Sequence, residues 1–241
     1  MDILYVVGNG SNWDNNELRY SLRSLEKFGK NVGRIFIATK KLPDFINPET
    51  VTHIAVCDES NVKHRNIMCK VEYAMQHSDI ADDFLLSSDD HFYIKPTDFD
   101  NYPLYHKGEI NSRNSFSSYC QSMRNTKIFL ERHGMGILST NPHCNTHFNR
   151  PLYMKNIDMM NDAKEVFCGI EVNCLMGNLL IASGVRPVRY RDIKVKRFVS
   201  REELLAKLGD THCFSISDKS LACGMKEYLQ ELFPNKSKYE K

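Results

Sequence analysis

Ile3-Leu4-Tyr5-Val6-Val7-Gly8-Asn9-Gly10 decides the fold. Five apolar residues in succession, closed by a glycine-rich turn, form a strand buried on both faces. The reading extends outward from there. Asn15 or Asn16 caps a helix that runs to about Phe28, with Leu18, Leu22 and Leu25 on one face and Arg19 and Arg23 on another. Gly29 stops it. Residues 34–38 form a second strand, 53–56 a third, 66–77 a second helix and 84–88 a fourth strand. This alternation predicts an α/β fold, a mostly parallel central sheet flanked by helices.

Beyond residue 100 the pattern is less regular. Residues 101–115 read as loop and 117–133 as helix. The stretch 134–151, rich in Gly, Asn, Pro and His, reads as a loop over a site. Helices follow at 170–182, at 201–208 behind Ser200, and at 220–233, with a last strand at 213–217. No repeat or linker divides the chain, so one domain over 1–241 is expected.

The composition is that of a soluble globular protein: 241 residues, 41% hydrophobic and 26% charged. No stretch approaches the ~20 apolar residues of a membrane span. Asp2 stands where a secretory leader carries basic residues. A cytoplasmic location is therefore expected. The eight cysteines are scattered with no Cys-x-x-Cys pair, so neither a zinc ribbon nor a disulfide framework is expected. Only residues 237–241 read as disordered. Net charge is +2, but residues 186–197 hold six basic residues against one acid, Asp192.

In an open parallel sheet, ligands bind at the carboxyl ends of the strands. Two strand ends carry suitable chemistry. Ser88-Asp89-Asp90-His91 places two adjacent carboxylates at the end of a buried strand, which is costly without a cation. Mg²⁺ or Mn²⁺ is the natural partner, held by one or two carboxylates with phosphate and water completing the shell. Such a metal turns a diphosphate into a better leaving group. The bland alternative is a solvated turn. Gly8-Asn9-Gly10 lets a ligand approach the backbone, or is simply a good turn.

Other candidates have alternatives of the same kind. Arg19 and Arg23 could grip phosphate, or pair with Glu26 or Asp14 on the surface. Lys63-His64-Arg65-Asn66 sets basic groups at a helix N-terminus, which suits a bound anion or an exposed loop. His143, Cys144 and His147 lack a fourth ligand for zinc, which leaves His147, beside Arg150, as a catalytic or phosphate-contacting group. Glu171 opens a helix, as an acceptor-side base or a dipole partner. His212 or Asp218 could close the metal site or be structural.

The block 15–28, Asn-Asn-Glu-Leu-Arg-Tyr-Ser-Leu-Arg-Ser-Leu-Glu-Lys-Phe, followed by Ile35-Phe36-Ile37-Ala38-Thr39, resembles the second conserved block of the Stealth family. These are hexose-1-phosphate transferases of capsular polysaccharide synthesis. Ser88-Asp89-Asp90-His91-Phe92 is similar to the family's Asn-Asp-Asp-x-Phe, with Pro96 and Asp98-Phe99 at family-like spacing. Residues 146–151 resemble its later His-containing block, and 232–240 its closing Phe-Pro-x-x-Ser-x-Phe-Glu. The resemblance implies a type-A nucleotide-sugar transferase fold and a divalent metal, Mn²⁺ or Mg²⁺. It also implies roles for Asp89 or Asp90 in metal binding and catalysis, and for His147 at the reacting phosphate or sugar.

Together these readings give a metal-dependent glycosyltransferase. Residues 1–100 would be its nucleotide- and metal-binding half and 101–241 its acceptor side. Gly8, Asn9 and Gly10 would hold the nucleoside, and Arg19, Arg65 or Lys70 the donor phosphates or base. Asp89, Asp90 and His212 would hold the metal, and Asp90, His147 and Glu171 would be catalytic. Three departures from the family pattern favour glycosyl over hexose-phosphate transfer, which is the alternative: Asn9 stands in place of the acid of the opening Trp-Val-Asp-Gly block, Ser88 is at the first position of the Asn-Asp-Asp block, and the chain is short for the family. The acceptor is a glycan, or a nucleic-acid base reached through the basic stretch 186–197, interleaved with Tyr190 and Phe198; the alternative is an exposed basic strand. A non-catalytic sugar-nucleotide or glycan-binding protein is the reading of another class, and the presence of both Asp89 and Asp90 argues against it.

Overall fold

The computed structural model describes residues 1–111, 115–198 and 200–241. The chain begins with β1 (Asp2–Val6), α1 (Asn16–Phe28), β2 (Gly29–Lys30), β3 (Ile35–Thr39), β4 (Thr52–Ala55), α2 (Lys63–His77) and β5 (Asp83–Ser87). It continues with β6 (His91–Tyr93), β7 (Thr97–Asp98), β8 (Tyr105–His106), α3 (Ser118–Arg132), β9 (Thr146–Asn149), α4 (Arg150–Lys155), α5 (Ile157–Glu165) and α6 (Val172–Ala182). It closes with β10 (Val188–Arg189), β11 (Lys194–Val195), α7 (Arg201–Leu208), β12 (Cys213–Ile216), α8 (Asp218–Ser220), a π-helical turn (Leu221–Met225) and α9 (Lys226–Leu232).

The main sheet has the order β4-β3-β1-β5-β9. The first four strands are parallel, and β9 runs antiparallel beside β5. The expected parallel sheet with flanking helices is therefore present. Alternation along each strand sends side chains to opposite faces. Ile3, Tyr5, Ile35, Ile37 and Leu85 pack with Leu18, Leu22 and Leu25 of α1. Leu4, Phe36, Phe84 and Leu86 pack on the other face with Met68 and Val71 of α2 and Leu175 of α6. Truncating one such buried leucine to alanine costs about 2–5 kcal/mol.

After β5 the chain turns out of this sheet into a smaller one, ordered β11-β12-β6. There β12 is antiparallel to β6 and parallel to β11. Phe92 and Phe214 pack at 5.4 Å between ring centroids and seat this sheet on Leu204, Leu208 and Leu229. Ser88, Asp89 and Asp90 lie at the junction of the two sheets.

Several expectations need correction. The stretch read as a loop at 134–151 contains β9 and the start of α4. Phe148 drives this by stacking on Phe84 across the strand pair, centroids 5.5 Å apart. Asn15 does not cap α1 through its side chain; the Ser11 hydroxyl accepts the Asn15 N–H at 2.9 Å instead. The last helix is interrupted, because Gly224 takes φ +88°. The C-terminal tail, read as disordered, is docked. Tyr239 is buried, and Glu240 takes two hydrogen bonds from Arg23, each 2.7 Å. All eight cysteines are free. Among the described residues, no helix is long and apolar enough to cross a membrane.

Candidate active site

Asp90 is fixed by both strands of the small sheet that face it. Ser215, in register with His91, donates its hydroxyl to Asp90 Oδ2 at 3.0 Å. Lys194, in register with Ser215, reaches the same oxygen at 3.2 Å. His91 Nε2 stands 4.0 Å from Oδ1. Burial raises the Asp90 carboxyl, but Lys194, His91, His143 and the Ser215 hydroxyl outweigh it and hold the carboxyl below its usual range. Burial of His91 drives its imidazole down to about 4, so it is neutral at pH 7.

Asp89 is in the opposite condition. Among the described residues, its carboxylate accepts a hydrogen bond only from its own backbone. Burial, then the charges of Asp90 and Glu17, push it up to about 7, with Lys63 pulling the other way. Glu17 comes from the first turn of α1, where Ser11 of the loop after β1 donates to its Oε2 at 2.7 Å. Negative charge thus exceeds positive charge at the end of β5.

That excess fits a hard divalent cation. Mg²⁺ keeps several waters and needs only one or two carboxylates beside substrate phosphates. Asp89 and Asp90 supply that much. Among the described residues, no cluster of three or more His, Cys, Asp or Glu side chains forms a fuller cage. His212 does not join the pair. It lies in a nest of Tyr93, Tyr102, Tyr105 and Tyr190, with Nε2 buried and without a hydrogen-bond partner among the described residues.

The first strand end builds the neighbouring wall. Buried Lys70 donates to the Val7 carbonyl at 2.8 Å and pairs with Asp58 at 2.7 Å. A Cβ on Gly8 would sit 3.9 Å from Asp58. Asn9 and Gly10 are exposed beyond it, and a Cβ on Gly10 would meet open space. Lys70 therefore joins Gly8, whereas Arg19 and Arg65 lead elsewhere. Arg19 lies over the Phe45 ring and 3.6 Å from Glu240. Arg65 bonds the Lys164 carbonyl and Glu165.

Glu171 is buried at the start of α6. His64 Nδ1 lies 2.9 Å from Oε1, and Asn141 donates to Oε2 at 2.6 Å. Burial raises this carboxyl, but His64, Lys63 and Lys107 bring it below its usual value. The approach of α2 to α6 requires Gly169. Its φ is +77°, and a Cβ there would fall 2.6 Å from the His64 Cβ. His147 stays apart, on β9, with Nε2 2.6 Å from the Tyr102 carbonyl oxygen.

Sequence reasoning did not single out a second His–carboxylate pair. Asp192 accepts from His143 N at 2.8 Å and His143 Nδ1 at 2.7 Å, and Lys107 adds an ion pair at 3.1 Å. These outweigh burial and hold the carboxyl far below its usual range. The lone acid within a basic run was the available signal. These groups form one circuit of electrostatic neighbours: Asp89, Lys63, Glu171, Lys107, Asp192, His143, Asp90. The circuit links the acid pair electrostatically to Glu171.

Comparisons with solved structures find this architecture elsewhere. One match is the galactosyltransferase LgtC in complex with donor and acceptor sugar analogs: TM-score 0.55, 13% identity, covering 98% of this chain and 96% of that one. An active-site mutant of LgtC matches with TM-score 0.55 and 12% identity, over 96% and 95% of the two chains. The fold is that of a type-A glycosyltransferase. No family model and no curated protein matches the sequence. The Stealth resemblance therefore rests on the residues quoted above.

Proposed function

We propose that the protein transfers a sugar from a nucleotide-sugar donor to an acceptor hydroxyl, with the charge circuit around Asp89, Asp90 and Glu171 as its active site. The circuit is the observation that carries this reading. It links an acid pair that carries excess negative charge to a separately anchored carboxylate, and the two would face one cleft at the carboxyl edge of a glycosyltransferase-type sheet.

Gly8, Asn9 and Gly10 line the path for the nucleoside, held open by the Lys70–Asp58 pair. Asp89 and Asp90 would hold Mg²⁺ or Mn²⁺, which would supply neutralisation of the diphosphate charge. Lys194 and Lys63 flank the same carboxylates and offer ammonium groups to the departing phosphates. Glu171 faces the other side. A carboxylate kept ionised by His64 and Asn141 can take the hydrogen bond of an acceptor hydroxyl and oppose positive charge on the sugar carbon. The bond from sugar carbon to phosphate oxygen breaks with its electron pair leaving on the phosphate, a bond from that carbon to acceptor oxygen forms, and the hydroxyl proton passes to Glu171. Glycosyl transfer needs no covalent work from His147, which is engaged with the Tyr102 carbonyl.

The test is nucleotide release from a panel of nucleotide sugars with Mn²⁺ or Mg²⁺, with and without Asp90→Asn. Release by the wild-type protein and loss of at least about 100-fold in the variant supports the reading. Absence of both release and thermal stabilisation with every donor refutes it.

A further inference from the structure

We infer that the acceptor is a nucleic acid, gripped along the basic segment 186–197 and presented to the cleft across the exposed aromatic residues Phe116, Tyr119 and Phe167. This rests on the transferase reading for its donor side, and the observations that carry it are separate.

The first is a ribbon of unpaired cations. Arg186, Arg189, Arg191, Lys196 and Arg197 are all exposed. No side chain among them makes a hydrogen bond, ion pair or ring contact with another described residue. Five free cations close together in sequence repel one another unless an anion lies along them. The ribbon also passes the active site. Midway along it, Asp192 turns inward to His143 and Lys107, and Lys194 turns inward to Asp90. Free cations thus flank the catalytic wall on both sides. Twelve residues span at most about 40 Å, close to one turn of a nucleic-acid duplex. The aromatic residues of this stretch do not help: the Tyr190 hydroxyl donates to the Cys213 carbonyl, and Phe198 is stacked on Tyr228.

The second observation supplies other aromatics. Phe116 is 105% exposed, Phe167 85% and Tyr119 44%. All three are gathered around the first half of α3. Arg124 donates to the Ser115 carbonyl, tying the Phe116 segment to the helix at 3.0 Å. Asn125 donates to the Phe167 carbonyl at 2.6 Å. The Thr126 hydroxyl accepts the Glu171 N–H at 2.9 Å, so the same helix seats the acceptor-side carboxylate. Tyr119 feels the charges of both Glu171 and Asp192, which joins this platform to the ribbon. Unburied phenyl rings beside a run of phosphate-binding arginines match a strand whose backbone is neutralised and whose bases stack. A membrane surface would call for a continuous amphipathic helix, whereas these cations lie on a non-helical segment and the rings lie before α3, in its first turn and in the turn at Phe167.

The test is fluorescence anisotropy with a 30-bp DNA duplex and a 20-nucleotide single strand, titrated with KCl. The expected log–log salt slope for the duplex is about −4.5, set by five cations. Replacing Arg186, Arg189, Arg191, Lys196 and Arg197 together by Gln should weaken binding about 100-fold or more at low salt. The thermal midpoint of that variant checks folding. Phe116→Ala and Phe167→Ala should each weaken single-strand binding about tenfold and leave the salt slope unchanged. Three results would overturn the inference: no DNA binding at 50 mM KCl, binding indifferent to the five substitutions, or phenylalanine variants that bind DNA normally. Tighter capture by dextran sulfate or by anionic phosphatidylglycerol vesicles than by DNA would also overturn it. Nucleotide release by the wild-type protein without DNA tests the donor reading separately. DNA binding without release removes the transferase and keeps the nucleic-acid partner, and release without DNA binding does the reverse.

Discussion

Lys194 Nζ lies 3.2 Å from Asp90 Oδ2, on the carboxylate that a divalent cation would share with Asp89. The ammonium therefore competes with the metal for one oxygen. Lys194→Met removes that competitor while keeping the length of the side chain. Calorimetric titration with Mn²⁺ in the absence of donor should show affinity rising several-fold in the variant. Unchanged or weaker affinity would mean that Lys194 and metal do not share Asp90. Donor turnover should fall in the same variant, because the ammonium offered to the phosphates is gone.

Glu171 and His64, the pair proposed for the acceptor side, lie 2.9 Å apart. Glu171→Gln keeps the shape and the contact with Asn141 but removes the charge. Transfer to acceptor should fall by about 10²–10⁴ in kcat, with donor KM nearly unchanged. His64→Ala acts only through Glu171 and should cost less, with a shifted pH profile. Equal donor KM losses in both variants would move Glu171 to the donor side.

Asp192 makes the cleft sensitive to acid. Its carboxyl lies far below its unfolded value because His143 and Lys107 outweigh burial. A depressed acid binds fewer protons folded than unfolded, so its stabilisation is present above the unfolded value near 3.8 and is lost as pH falls through the folded value. Asp192→Asn should destabilise the protein by about 2 kcal/mol at pH 7, and the gap should close steadily below about pH 4. Urea melts of both proteins at pH 7, 4 and 3 measure it. A gap constant with pH would show that the packing of Asp192, and not its charge, matters.

The parallel core was legible because its strands are continuous apolar runs and α1 shows one leucine face. Asp89 and Asp90 were legible because two acids follow such a run. The short strands β6, β10 and β11 were not, since two or three residues carry no period. Their absence from the reading hid Ser215 and Lys194, which reach Asp90 only through the small sheet. Glu171 was visible as a helix opener, but His64, 107 residues earlier, became its partner only through packing permitted by Gly169. His212 and His147 shared the residue type of a catalytic group. Their surroundings, a tyrosine nest and an edge strand, could not be read locally.

Arg23 and Glu240 give the last prediction. One residue lies in the first helix and the other is next to last in the chain, and two bonds of 2.7 Å join them. Their side chains are only 10% and 3% exposed, so this is a buried pair rather than a surface one. Its loss leaves one charge buried without its partner, which costs about 3–5 kcal/mol. Glu240→Gln keeps part of the hydrogen bonding and should fall below that range. Arg23→Met should free the tail. Limited proteolysis should then cleave after Lys236 or Lys238, bonds that are protected in the wild-type protein while Ser237 and Tyr239 remain buried. If the tail stays protected in Arg23→Met, burial of Tyr239 alone anchors it. If both substitutions unfold the chain, the pair is a condition of folding and not a clasp on the finished domain.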